Sequence, residues 1–289
     1  MSKKRKRAGR RVPRTLGSKR SPPIWRTFRY QLPPLPEDIS QEAERLHRQI
    51  SPFRLDAELE RLFQAGMERF NVEDYQGALT QLLLCQALMP AGRRSQPLLF
   101  NIGQCYASLN DFEQAQLCLE AAAALKPKDP DPYFPLAQIA LQEGRYEACI
   151  ALSERGRRLL GPRTRDPKGL SNLAHAYHEL GQIDKSLEVL HQALRLDPNW
   201  APGHQGLGAC YEDKLELGRA LYHYRQAARL APFDPSGPDN VQRLESGHFL
   251  AQLNPNDSAQ VARLETLEKD PEKLGEQIRR EADRLAARE

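Results

Sequence analysis

An all-α fold of stacked helical hairpins is predicted for this chain by three observations. Residues 207–232 (LGACYEDKLELGRALYHYRQAARLAP) echo residues 173–198 (LAHAYHELGQIDKSLEVLHQALRLDP) 34 residues on. Self-similarity at that period is the signature of helical-hairpin arrays. A small residue recurs at Gly66, Gly103, Ala137, Ala174 and Gly208, with gaps of 37, 34, 37 and 34. Behind each of them, apolar and small residues return at fixed offsets and a proline follows.

Along the chain, residues 1–36 read as a disordered basic and proline-rich arm. Residues 1–30 hold 12 Lys and Arg and no Asp or Glu. Such a stretch cannot bury enough apolar surface to order itself. Residues 37–58 read as lead-in helices: Glu37 to Gln49, then a helix opened by Ser51-Pro52 and running through Phe70.

The repeat offsets follow. An aromatic is expected three residues after the small one, a small residue at twelve, a large apolar one at sixteen, Ala at nineteen and Pro at twenty-four. Unit five supplies Gly208, Tyr211, Ala220, Tyr224, Ala227 and Pro232. Unit four has Ala174, Tyr177, Ser186, Leu190, Ala193 and Pro198, and unit two has Gly103, Tyr106, Ala115, Leu119, Ala122 and Pro127. Unit one begins at Gly66, with Phe70 one place late, then Ala78, Leu82, Cys85 and Pro90. Unit three is weak: Ala137, Ala140, Cys149, Ser153 and Gly156, ending at Gly161-Pro162. Its hairpin is expected to be either loosely packed or the site of a bend. Small residues let paired helices approach, large ones fill the gaps, and proline stops the second helix. The insertions MPAGRRSQP and GPRTRDP should be surface loops.

These residues resemble the tetratricopeptide repeat (TPR) family across roughly 59–234. The resemblance implies a right-handed α-solenoid of about five hairpins (59–92, 96–129, 130–163, 167–200 and 201–234). Residues 235–253 then read as a capping helix, with Val241, Leu244, Phe249 and Leu250 apolar. Residues 254–289 form a helical tail, in which Val261, Leu264, Leu267, Leu274, Ile278 and Leu285 make a stripe suited to docking or self-association.

The family's concave groove implies a partner segment held by the first helix of each unit. The places two before the small residue and one, four and five after it are expected to face it. With the adjoining aromatics, this gives Phe63, Met67, Phe70, Phe100, Asn101, Gln104, Gln138, Asn172, His175, His178, Glu179, Glu212 and Asp213. Asn101 and Asn172 recur at one place, where an amide can grip a ligand backbone. The groove is expected to be graded from an apolar N-terminal end to an acidic C-terminal end. It then fits a segment with an apolar anchor and a basic end, of the kind the chain's own residues 24–32 provide. The family's carboxylate clamp is rejected, because Phe63, Met67, Asp131 and Pro135 stand where its basic and amide groups belong.

The remaining 259 residues carry 30 basic against 38 acidic groups, a balance of −8. The arm's Lys3, Lys4, Arg5, Lys6, Arg7, Arg10, Arg11 and Arg14 suit an acidic partner or a phosphate backbone. Trp25, interleaved with Arg26 and Arg29, suits base stacking. A nuclear import signal or a solvated tail would have the same composition.

Cys85, Cys105, Cys118, Cys149 and Cys210 lack metal-ligand spacing and read as buried reduced thiols, which suits a cytoplasmic location, or a nuclear one in a eukaryote. His175 and His178 lack a third placed ligand for zinc. No catalytic set, phosphate loop or cofactor motif is present, and no run approaches the roughly 20 apolar residues of a membrane helix. The expected role is a non-enzymatic adaptor whose groove holds a protein segment. The alternatives are a nucleic-acid- or ribosome-associated factor and an oligomeric structural subunit.

Overall fold

The structure, a computed structural model, describes residues 32–90, 92–161, 167–249 and 270–288. All regular elements among them are helices. A lead-in helix α1 (Glu37–Gln49) and a short 3-10 turn (Pro52–Arg54) precede five hairpins: α2 (Leu55–Asn71) with α3 (Tyr75–Leu88), α4 (Gln96–Ser108) with α5 (Phe112–Leu125), α6 (Tyr133–Gln142) with α7 (Tyr146–Leu160), α8 (Pro167–Glu179) with α9 (Ile183–Leu196), and α10 (Ala201–Asp213) with α11 (Leu217–Leu230). Two more helices follow, α12 (Ser236–Glu245) and α13 (Pro271–Ala286).

Each hairpin turns on the same backbone device. The seventh residue after the small one adopts a positive φ: Glu73, Asn110, Gly144, Gly181 and Leu215, between 56° and 70°. Gly144 and Gly181 adopt it without strain, whereas Leu215 is held there by burial of its side chain. In units one and two the second helix then starts on a side-chain N-cap, Asp74 accepting from the Gly77 amide at 3.0 Å and Asp111 from the Gln114 amide at 3.3 Å.

Within hairpins the small-against-large rule holds. A Cβ on Gly103 would lie 2.7 Å from Leu119, and one on Gly208 would lie 2.5 Å from the Tyr224 ring. Unit three, expected to be loose or bent, is closely packed at the place nineteen after its small residue. The small residue, Gly156, sits on the second helix, and the ring of Phe134 from the first helix fills its place, 2.9 Å from where a Cβ would stand. Ser153 is fully buried beside it. The apolar core nonetheless narrows there. Its two large clusters, over α1–α6 and α8–α13, are joined through Ala137, Ala140, Cys149 and Ala176.

First helices of successive units touch (α4 with α6, α6 with α8, α8 with α10), and each second helix packs on the first helix of the next unit. The first helices therefore line the inner, concave side and the second helices the outer one.

The ends differ from expectation in detail. The capping helix stops at Glu245, because Ser246 and Gly247 (φ 79°) turn the chain where the Pro271 backbone crosses Gly247. Phe249 follows in the turn, and Leu250 lies outside the described residues. The C-terminal helix docks on the solenoid, burying Leu274, Ile278 and Ala282 against α11 and α12, with Arg225 bridging Asp283 and Glu245 at 2.6 and 2.7 Å. Val261, Leu264, Leu267 and residues 162–166 of the second insertion lie outside the described residues.

Unit three offers a test of this contact. Gly156→Leu overpacks the site and should cost about 2 kcal/mol, and Phe134→Ala should cost about 3 kcal/mol through its cavity. The double variant, which moves the volume from the first helix to the second, should recover most of both losses in urea unfolding monitored by circular dichroism. Additive losses would show that the two residues do not share one space.

Candidate partner-binding groove

The places expected to line the groove divide by helix geometry. Positions two before and five after the small residue are seven residues apart and share one face of the first helix. That face meets the preceding unit. A Cβ on Gly206 would lie 2.9 Å from Leu190 of α9. Asp213 reaches His178 of α8, and Glu179 accepts from the Tyr146 hydroxyl of α7 at 3.3 Å. The place four after the small residue faces the next unit, and the place one after it faces out.

This overturns the expected acidic end. Glu212 and Asp213 are buried, at 2% and 4% exposure, because each is closed over by a neighbouring unit. Arg243 of α12 holds Glu212 with both guanidinium nitrogens, at 2.5 and 2.9 Å, and the Tyr224 hydroxyl donates to it at 3.0 Å. Burial, then the Glu212 carboxylate, push the Tyr224 hydroxyl well above its ordinary pKa.

Asp213 Oδ2 lies 2.7 Å from His178 Nε2, and Glu179 lies 3.6 Å from the other ring nitrogen. His175 stands 3.4 Å from Glu179 on the exposed side. The Asp213 carboxylate beside it raises the His178 pKa above its ordinary value, against the opposing effect of burial. The paired carboxylates are seam contacts between units, and each histidine of α8 is engaged by one.

Asn101 and Asn172 share the preceding-unit face rather than open groove. The Asn101 amide donates to the Pro97 carbonyl at 2.9 Å in its own helix, and the Asn172 backbone carbonyl accepts from Cys149 Sγ at 3.5 Å. Gln138 and His175, one place after the small residue, are exposed; Met67 and Gln104 at the same place are half-buried. Phe63, Phe70 and Phe100 are half-buried against the N-terminal cluster, Phe70 edge-on to Tyr75 at 5.3 Å. The open concave strip is thus apolar at its N-terminal end and amide-rich along its middle, with Gln142 exposed beside Gln138.

Arg243, Tyr224 and Tyr146 were not expected as partners. A signal for them exists, since they join residues 31 apart (Glu212 and Arg243), 33 apart (Tyr146 and Glu179) and 12 apart within one hairpin. Scanning one repeat period along for a hydrogen-bond donor to each carboxylate finds the first two.

The five cysteines are buried and unpaired. Burial pushes the Cys118 thiol up to about 12 and the Cys85 thiol to about 11, so neither is a thiolate nucleophile at neutral pH. The arm residues Lys3 to Arg14, Trp25, Arg26 and Arg29 lie outside the described residues.

The geometry agrees with comparison to known proteins. Residues 42–245 match the family model of the cilia and flagella-associated protein 70 C-terminal domain. The chain belongs to that tetratricopeptide-repeat family. It is 31% identical over 135 residues to the Protein CTR9 homolog of Arabidopsis thaliana, across 45% of this chain and 12% of that protein. It is 27% identical over 136 residues to Hsp70-Hsp90 organizing protein 1 of Glycine max, across 47% of this chain and 23% of that protein. The chain thus spans under a quarter of these relatives' length.

Among solved structures, Cut9 in an APC/C Cut9-Hcn1 hetero-tetramer superposes with a TM-score of 0.57 at 19% identity, over 63% of this chain and 35% of that one. MamA superposes with a TM-score of 0.51 at 18% identity, over 60% and 92%. These likenesses concern the fold. A tetratricopeptide solenoid is a protein-interaction scaffold.

Two measurements test the seams. Arg243→Met should destabilise the chain by about 3 kcal/mol, since it leaves Glu212 buried without its countercharge. Arg243→Met with Glu212→Met should lose much less in the same urea titration. The His178 contact has a pH signature. Its folded-state pKa is raised, so its contribution is complete below the unfolded value and fades as pH rises through the folded one. The stability gap between the wild type and His178→Gln should therefore narrow as pH rises above the ordinary histidine pKa of about 6.5. A gap that widens with pH would refute the raised pKa.

Proposed function

We propose that this protein is a non-enzymatic adaptor whose concave strip holds a segment of a partner protein. The single observation that carries this reading is the strip itself. Phe63, Met67, Phe70 and Phe100 offer an apolar anchor site, and Gln104, Gln138 and Gln142 offer amide donors and acceptors along its middle. Because the carboxylates at its end are neutralised in the seams, the favoured segment has an apolar anchor and little net charge. The requirement for a basic end disappears with the acidic groove terminus. Residues 1–31 add a cationic element that suits contact with an acidic surface of the same partner.

The chain's own residues 24–32 are a poor occupant of this strip. Their described continuation, Leu32 to Pro36, runs along the second helices, where Leu32 packs by Leu99 and Ala121 and the prolines border Leu79 and Leu83.

A photocrosslinking residue at Gln138 in the full-length chain should capture a specific partner from native lysate, and Met67→Glu should reduce that capture about tenfold. A control crosslinker at Glu188, on the outer side, should not capture it. Equal capture of the same partner from both positions would refute groove binding.

A further inference from the structure

The lead-in segment occupies the interval between the second helices of units one and two. Leu32 packs there with Leu99 and Ala121, and Pro33, Pro34 and Pro36 share a cleft with Leu83, Tyr106 and Gln114. The repeat offsets place an equivalent interval between α9 and α11. Leu83 corresponds to His191, Leu99 to His204, Tyr106 to Tyr211, Gln114 to Arg219 and Ala121 to Gln226. A cleft of about 630 Å³ opens at these places, continued by Arg229, His223 and, from α13, Leu285 and Arg288.

Its chemistry differs from the interval filled by the chain itself. Three arginines and three histidines line it, and no carboxylate among the described residues does. The body of the protein is net acidic, so this concentration of one sign is local. The aromatic floor is built: Tyr211 and His223 stack at 5.5 Å with rings 4° from parallel, and Arg219 lies 5.5 Å over the Tyr211 ring. His204 meets His223 at 3.1 Å and His191 meets the Tyr211 hydroxyl at 3.1 Å. Burial, then the neighbouring cationic groups, push the His223 pKa down to about 3, so that ring stays neutral and holds the stack together. Arg219 also pairs with Glu216 at 2.8 Å from outside the lining, and Arg229 is braced by Gln226.

We propose that the α9–α11 interval is a second docking site, for an extended acidic segment of a partner protein. The extended form follows from the lead-in, whose proline-rich backbone fits the equivalent interval. The acidic character follows from Arg219, Arg229 and Arg288, in a lining that has no carboxylate among the described residues. The site lies on the outer side, independent of the concave strip, so both can be occupied at once.

The probe is a fluorescein-labelled octapeptide of alternating Glu and Pro, with a Gln-Pro octapeptide as control, titrated into the full chain. The arm's cations also attract acidic peptides, so the readout must be local. Histidine ring resonances in NMR report the cleft directly. Saturable shifts of His191 and His204 with the Glu-Pro peptide, absent with the Gln-Pro peptide, are expected. Arg219→Gln with Arg229→Gln should weaken the affinity read from those resonances about tenfold or more, while leaving helicity unchanged. His204→Leu, which recreates the unit-two place, gives a second variant: His191 should still shift, with lower affinity. Peptide binding that leaves His191 and His204 unmoved, or affinity at those resonances indifferent to the arginine pair, would overturn the proposal.

Discussion

Every helix of this array buries one of its faces only because another unit covers it, and the seams between units are therefore the constraint on which the rest depends. The hairpin itself is settled locally, by a small residue facing a large one and a positive-φ residue at the turn. The seam is not local. Its partners are one repeat apart, and at the C-terminal end they are charged. Glu212 sits under Arg243 and Asp213 under His178. A buried carboxylate is tolerated only with its countercharge in place, so these contacts fix which element follows which. The capping helix is thereby more than an apolar lid, since it carries the arginine that neutralises the last unit.

The repeat register was legible in the sequence because it is written in residue size at fixed offsets, and size is what hairpin packing reads. The five small residues and the lead-in helix at Glu37 to Gln49 were found this way. Unit three was misjudged for a physical reason. Ser153 stands where a large residue is expected on the second helix and Gly156 where Ala is, but the ring of Phe134 on the first helix packs directly onto Gly156. Packing needs the sum of two facing volumes, and the offset rule reads each place on one helix alone.

The candidate site was legible only in its apolar half. Phe63, Met67, Gln104 and Gln138 stand on or beside the concave strip, whereas Glu179, Glu212, Asp213, Asn101 and Asn172 belong to the seams. Polarity suggested exposure for all of them. A 100° step per residue separates the outward place, one after the small residue, from the seam places four and five after it. The carboxylates at seam places are informative for the opposite reason to the one first read: Glu179, Glu212 and Asp213 each have a partner about one period away.

The same periodicity carries the argument to the outer surface. Equivalent places in different units have equivalent geometry, so an interval filled in one unit shows what shape fits the others. Between α3 and α5 the occupant is an extended proline-rich segment of this chain, and the lining mixes Leu79, Leu83 and Leu109 with Gln76, Thr80, Asp111 and Gln114. Between α9 and α11 the backbone frame is retained but the lining is exchanged, Leu83 for His191 and Gln114 for Arg219, while the tyrosine is kept. A change of lining without a change of frame alters which segment binds, not how it lies. The solenoid thus offers two faces of unlike chemistry, an uncharged inner strip and a cationic outer cleft.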